Sequence, residues 1–161
     1  MKNTSKTFHH LYFSFDRNIA VIVGGHDIND ITDERILAVS KVVLHPNYSL
    51  QSLDYDFAII FLAELVPSES RAIPACLPHI SMSGDFLAGK DLTISGWGET
   101  DSLGSTPTNL RSAVIQGVSN PKCRNLYSII DQFEITDRMI CAGNLEQGGV
   151  DACRGDGGGN H

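Results

Sequence analysis

The chain has 161 residues, 12 basic against 19 acidic side chains for a net charge of −7, and a composition 42% apolar and 19% charged. That length admits one domain and hardly two, and the apolar content is too high for a natively unfolded chain. The acidic balance excludes the cationic footprint that a nucleic-acid partner needs. No Lys/Arg-rich run suggests an electrostatic membrane anchor, and the longest strongly apolar run, Phe57 to Leu62, is far too short to span a bilayer.

Residues 1–18 show no clear period and read as an irregular leader. Lys2 and Lys6 resemble the basic start of a signal peptide, but the stretch from Phe8 to Phe15 contains His9 and His10, and no Ala-x-Ala-like cleavage site follows. Ile19 to Val23 is β-branched and closed by Gly24-Gly25, which predicts a short buried strand. Asp27 to Glu34 is polar and turn-rich. Ala38 to Leu44 predicts a second strand, stopped by His45-Pro46-Asn47, and Phe57 to Leu62 a third. Pro74, Pro78 and Gly84 mark a long connection. Leu92-Thr93-Ile94-Ser95 alternates as a half-buried strand does. Leu110 to Val118 predicts a further strand, Pro121 to Tyr127 one or two helical turns, and Met139 to Ala142 a last short strand. Strands separated by turns, with almost no helical periodicity, predict an all-β barrel or sandwich. No internal repeat, low-complexity tract or linker stands out.

The cysteines are at positions 76, 123, 141 and 153. None forms a Cys-x-x-Cys pair and only His79 lies near one, so a zinc site is disfavoured and no metal or cofactor is expected. Four cysteines allow three disulfide connectivities, among which spacing does not choose, or four buried thiols. Asn3-Thr4-Ser5 and Asn47-Tyr48-Ser49 are glycosylation acceptors only if the chain is secreted. Gly155 to Gly159, four glycines in five residues, is either a flexible tail or a backbone that must approach something closely.

The segment Asp151-Ala152-Cys153-Arg154-Gly155-Asp156-Gly157-Gly158-Gly159 resembles the nucleophile loop of the trypsin-like (chymotrypsin-family) serine proteases, which normally reads Gly-Asp-Ser-Gly-Gly-Pro. Asp54-Tyr55-Asp56-Phe57-Ala58-Ile59 resembles the segment holding that family's triad aspartate. His45-Pro46-Asn47-Tyr48, Ala75-Cys76-Leu77-Pro78, Ile94-Ser95-Gly96-Trp97-Gly98 and Met139-Ile140-Cys141-Ala142-Gly143 match in the family's order. The resemblance covers roughly residues 19 to 159. It implies an all-β, chymotrypsin-like double six-stranded antiparallel β-barrel in truncated form, the first barrel lacking its N-terminal strands and the second its C-terminal strands and helix. On that expectation residues 1–18 are an unmatched leader and 19–161 a partial protease domain. Proteolysis, protein or peptide substrates or protease inhibitors as partners, and a secreted, extracellular location come with the resemblance.

Residue by residue, the resemblance makes Asp56 the triad acid that orients an imidazole, against the plainer reading of a solvated carboxylate leading a strand. Asp151 takes the base of the primary specificity pocket, where a buried carboxylate would pair with Arg or Lys and imply cleavage after basic residues; the plainer reading is a loop aspartate. Gly155 and Gly157 would supply oxyanion-hole N–H groups, Asp156 would pair with a new amino terminus after activation, and Cys123 and Cys141 would form a local disulfide.

The sequence also departs from the family. Gly157 stands where the serine nucleophile belongs and has no side chain to form an acyl-enzyme; Asn160 stands where proline is usual. No Ala-Ala-His-Cys segment carrying the general base precedes Ile19, the surroundings of His9 and His10 do not match it, and His26 and His45 match non-catalytic loop positions. Ile22-Val23-Gly24-Gly25 spells an activated amino terminus, but Val21 rather than a basic residue precedes it, and the residues from His26 to Val42 match a stretch deeper in the first barrel. Ser112 replaces a cysteine of many relatives, and the family partners of Cys76 and Cys153 are absent, leaving only the Cys123–Cys141 pair. Glu34 lies in a loop where some relatives bind calcium, without a dense carboxylate cluster. The expectation is a family member inactive as written, either the product of a partial gene or, alternatively, a non-catalytic homologue serving as a binding or regulatory module.

Overall fold

Apolar runs bounded by glycine or proline become strands in the computed structural model, which describes residues 19–32, 35–79, 84–101, 103–129 and 134–159. The leader with His9 and His10, and also Glu34 and Asn160, lie outside the described residues. Strands β1 (Ala20–Ile22), β2 (Ile36–Leu44) and β3 (Ala58–Leu62) form one antiparallel sheet in that order. Strands β4 (Asp91–Gly96), β5 (Arg111–Val118) and β6 (Cys141–Ala142) form a second. Two 3₁₀ turns, Ser68–Ser70 and Gly84–Leu87, punctuate the proline-marked connection between the sheets.

In the first sheet Val21 faces Leu37, Val42 faces Ile60 and Leu44 faces Ala58. The register shifts between Val39 and Lys41. One extra residue there reverses the parity of β2, so Leu37 and Val39 share a side with Val42 and Leu44. That side holds the buried Leu37, which is 2% exposed. In the second sheet Leu92 pairs with Ile115 and Ile94 with Ala113, and Ile94, Ile115 and Val118 are buried.

The helical turns expected at 121–127 form the helix α1 (Asn120–Tyr127). Pro121 stands in its first turn, where a missing N–H leaves no hydrogen bond unmade. The Asn120 N–H donates to Asp85 Oδ1 at 2.9 Å, and its Nδ2 donates to the carbonyls of Thr136 and Met139, each at 3.2 Å. Cys123 of α1 is fully buried and disulfide-bonded to Cys141 of β6, which ties the helix to the sheet edge. Cys76 is exposed and Cys153 half-buried, both as free thiols. Among the described residues no helix is long and apolar enough to cross a membrane.

The two sheets are stitched together at one end by hydrogen bonds onto backbone carbonyls. The Ile28 N–H donates to Thr108 O at 2.9 Å, the Leu110 N–H to His26 O at 2.7 Å, and the Trp97 indole Nε1–H to the same His26 carbonyl at 3.2 Å. A side-chain cluster around Asp54 makes a second junction.

A candidate active-site scaffold

The loop entering β3 brings Asp56 to the head of an apolar strand by a tight route. Leu53 and Tyr55 take φ of 54° and 55°, the left-handed region that costs a side-chain-bearing residue energy unless the surroundings fix it. The fixing contacts are visible. The Tyr55 ring stacks on His45 at 4.5 Å with planes 9° apart, and the Arg138 guanidinium lies 4.4 Å from the Tyr55 ring centre. The Tyr55 N–H donates to Asp54 Oδ1 at 2.9 Å.

Asp56, expected as the triad acid, is half-buried; the buried carboxylate is Asp54, two residues earlier. Asp54 accepts Arg138 Nε–H at 3.1 Å on Oδ1 and 3.2 Å on Oδ2, a close Arg138 Nη2–H on Oδ2, and the Thr136 hydroxyl at 3.1 Å. Hydrogen bonding to Arg138 outweighs the opposing effect of desolvation and holds the Asp54 carboxyl below its ordinary value, while the same contacts raise the Arg138 guanidinium. Nothing in the sequence singled out Asp54, because its partner is 84 residues away.

The sign of that shift sets how stability depends on pH. A carboxyl lowered in the fold contributes stability that is fully present above its ordinary value of 3.8 and is lost as pH falls through and below it. Asp54→Asn is therefore expected to cost about 1.5 kcal/mol near neutrality, a modest figure because the Arg138 side chain remains 49% exposed to water. The gap to the parent should shrink as pH drops from 5 to below the ordinary carboxyl range. Urea titrations across that range check this; a gap unchanged at low pH would contradict it.

The glycine-rich loop is anchored, not a free tail. The Asp156 carboxylate accepts the Gly98 N–H at 2.7 Å on one oxygen and the Cys153 N–H at 2.8 Å on the other. A Cβ on Gly98 would sit 2.5 Å from those carboxylate atoms, so the close approach demands glycine there. The Gly159 N–H returns to Asp156 O at 2.9 Å, and Gly155 turns the chain at φ 103°. Gly157 is half-buried within this loop. Glu99 receives Arg154 as an ion-pair partner at 3.9 Å, and its N–H donates to the Arg154 carbonyl at 2.8 Å.

Asp151 is exposed, not enclosed. It accepts the Ala152 N–H at 2.9 Å and lines, together with Asp156, Glu99, Arg111 and Ser112, a cavity of about 200 Å³. Burial, with the Asp151 charge adding to it, raises the Tyr127 phenol above its ordinary value, which places that ring within the field of the cavity's carboxylate. The arrangement therefore gathers the expected specificity and activation carboxylates around one acidic cavity, whereas Asp56 stands two residues from the Asp54–Arg138 junction.

Two antiparallel sheets, a disulfide-tied helix and an aspartate-anchored glycine loop define a β-protein with the parts of a serine-protease fold. The trypsin family model matches residues 7–160, so the chain belongs to the trypsin family, with its chymotrypsin-like all-β fold. The match extends upstream of Ile19 and takes in His9 and His10. Among curated relatives, trypsin 5G1 of Aedes aegypti is 34% identical over 150 residues, covering 93% of this chain and 54% of that protein. Serine protease 1 of Rattus norvegicus is 39% identical over 147 residues, covering 90% and 56% respectively. Trypsin-1 of Astacus astacus is 36% identical over 126 residues, covering 78% and 50%. The chain thus spans about half the length of these relatives.

Proposed function

We propose that this chain is a trypsin-like serine endopeptidase scaffold that performs no peptide-bond hydrolysis of its own. One observation carries the reading: the loop that the family uses for its nucleophile is built and anchored through Asp156, yet presents Gly157, a backbone without a hydroxyl. In this reading Asp56 is the triad acid, Gly155 and Gly157 provide oxyanion N–H groups, Asp156 is the activation carboxylate, and Asp151 sets a preference for Arg or Lys. The protein's partners are protein or peptide substrates or protease inhibitors, met outside the cell; the Cys123–Cys141 disulfide supports an oxidising compartment. The test is incubation with arginyl and lysyl reporter peptides. No release above buffer is expected, and turnover abolished by a serine-directed phosphonate would overturn the reading.

A second reading, a non-catalytic homologue acting as a binding module, draws on the acidic cavity at Asp151, which needs no nucleophile to hold a cation. Calorimetric titration with benzamidine tests it. Binding that Asp151→Asn abolishes favours this module; absence of binding removes it.

A further inference from the structure

Among the aspartates and asparagines of the chain, only Asp156 is followed by glycine. An Asp-Gly step is where a main-chain amide most readily attacks the preceding side chain. A residue without a β-carbon leaves the attacking nitrogen uncrowded and the backbone free to turn. Gly157, which offers no hydroxyl, therefore brings a second chemistry with it. In the fold the Asp156 carboxyl is held away from that reaction. One oxygen accepts the Gly98 N–H at 2.7 Å and the other the Cys153 N–H at 2.8 Å. The carboxyl fills a cleft that a Cβ on Gly96 or on Gly98 would obstruct. Backbone bonds clamp the same residue: the Asp156 N–H donates to Cys153 O at 3.0 Å and the Gly159 N–H to Asp156 O at 2.9 Å. Asp156 and Gly157 are half-buried, within reach of water, and Gly155 and Gly158 flank them at φ of 103° and 80°.

From this we infer that Asp156–Gly157 is a site of self-modification, at which Asp156 isomerises to isoaspartate once its carboxyl leaves the N–H groups of Gly98 and Cys153. The Gly157 nitrogen gives up its proton and bonds to Asp156 Cγ. One carboxyl oxygen departs as water, and a five-membered imide closes. Water then opens the imide at either carbonyl. Attack at the Cγ carbonyl restores aspartate. Attack at the Asp156 main-chain carbonyl breaks its bond to the Gly157 nitrogen, and the chain afterwards runs through the former side chain. The water lost is the water regained, so no oxidant, reductant or cofactor is needed. The gate is a local opening of the loop, the kind of event that leaves the rest of a fold in place. The outcome is one-way. Isoaspartate lengthens the main chain by one methylene and carries its carboxylate directly on Cα, so the paired grip on Gly98 and Cys153 does not re-form. A loop that was fixed through Asp156 becomes the free tail that its glycines also allow.

The test holds the full chain at neutral pH and body temperature, folded and in urea, in water enriched in heavy oxygen. Each imide opening leaves a heavy oxygen on the residue, and electron-transfer fragmentation maps it and distinguishes isoaspartate from aspartate. Isomerisation at Asp156 is expected to be at least about tenfold slower in the folded chain, because two hydrogen bonds must open first. Gly98→Ala, whose Cβ would sit 2.5 Å from the carboxylate, brings the folded rate toward the urea rate and leaves the urea rate unchanged. Gly89→Ala strains the backbone at φ 74° but meets no atom within 4 Å, and it changes neither rate. Gly157→Val crowds the attacking nitrogen and lowers the urea rate at least about tenfold. Far-UV circular dichroism confirms that each variant is folded; the parent and Gly157→Val decide by themselves should Gly98→Ala fail to fold. Equal rates in the folded and unfolded parent, no heavy oxygen at Asp156 in urea, or incorporation at Asp101 or Asp151 as fast as at Asp156 overturns the inference. So does a folded Gly98→Ala as slow as the parent, an equal acceleration from Gly89→Ala, or a Gly157→Val as fast as the parent in urea.

Discussion

Gly157→Ser leaves the chain as unreactive toward a fluorophosphonate probe as the parent, which offers no hydroxyl at that position. A serine oxygen becomes a nucleophile only when a base within hydrogen-bond reach takes its proton, and the base is itself oriented by a third group. His45 is committed elsewhere: its ring stacks on Tyr55, and its Nδ1 accepts the Asn47 N–H at 3.1 Å. The nucleophile loop takes its position from Asp156, whose oxygens hold the N–H groups of Gly98 and Cys153. A new hydroxyl at 157 inherits that geometry without a demonstrated base. In trypsin-like enzymes themselves, impairing one triad member lowers turnover by about 10⁴-fold, so labelling of the variant should stay at least that far below a complete triad. The family match reaches back over His9 and His10, and this decides the control. Labelling of Gly157→Ser that disappears when His10 is also replaced by alanine would show a base in place and one atom missing, and the proposal of an inactive scaffold would fall. Labelling of the parent would overturn it outright.

Breaking the Cys123–Cys141 disulfide is expected to have the largest effect on stability. The bond closes a segment with a sequence separation of 18, for which chain-entropy reasoning gives about 3 kcal/mol. Cys123 is also fully buried, so a paired Cys123→Ser and Cys141→Ser replacement adds a hydroxyl that must find a partner in an apolar setting. A second consequence is local. β6 is two residues long and pairs with β5 only at Gly117–Ala142 and Val118–Cys141. Without the covalent tie that edge should open first, and hydrogen exchange at 139–143 should accelerate more than exchange in β4 and β5. Uniform acceleration across the second sheet, or a loss well under 1 kcal/mol, would contradict this.

The strands were legible because their signals are local. A β-branched run with glycine or proline beyond it needs no distant partner to declare itself, and β1 through β6 each formed within a few residues of the expected place. The junction at Asp54 was not legible. Asp54 and Asp56 stand two apart before the same apolar strand, chemically alike in sequence, and what separates them is the Arg138 guanidinium folding back from the far side of the chain. The anchoring of the glycine loop was hidden for the same reason: a run of glycines reads equally as a tail, and only the approach of Gly98, 58 residues upstream, makes it a fixed turn. Asp151 gave the opposite lesson. The resemblance placed it at the base of a pocket, but enclosure depends on surrounding chain, and Asp151 is exposed on a shared cavity.

Trp97 is the sole tryptophan of the chain, and its indole hydrogen-bonds to the His26 carbonyl across the line between the two sheets. The molecule therefore contains its own optical gauge. Emission from this ring registers the seam and not the interior of either sheet, so a red shift that precedes the loss of β-sheet circular dichroism on warming would time the parting of the two halves separately from the melting of each.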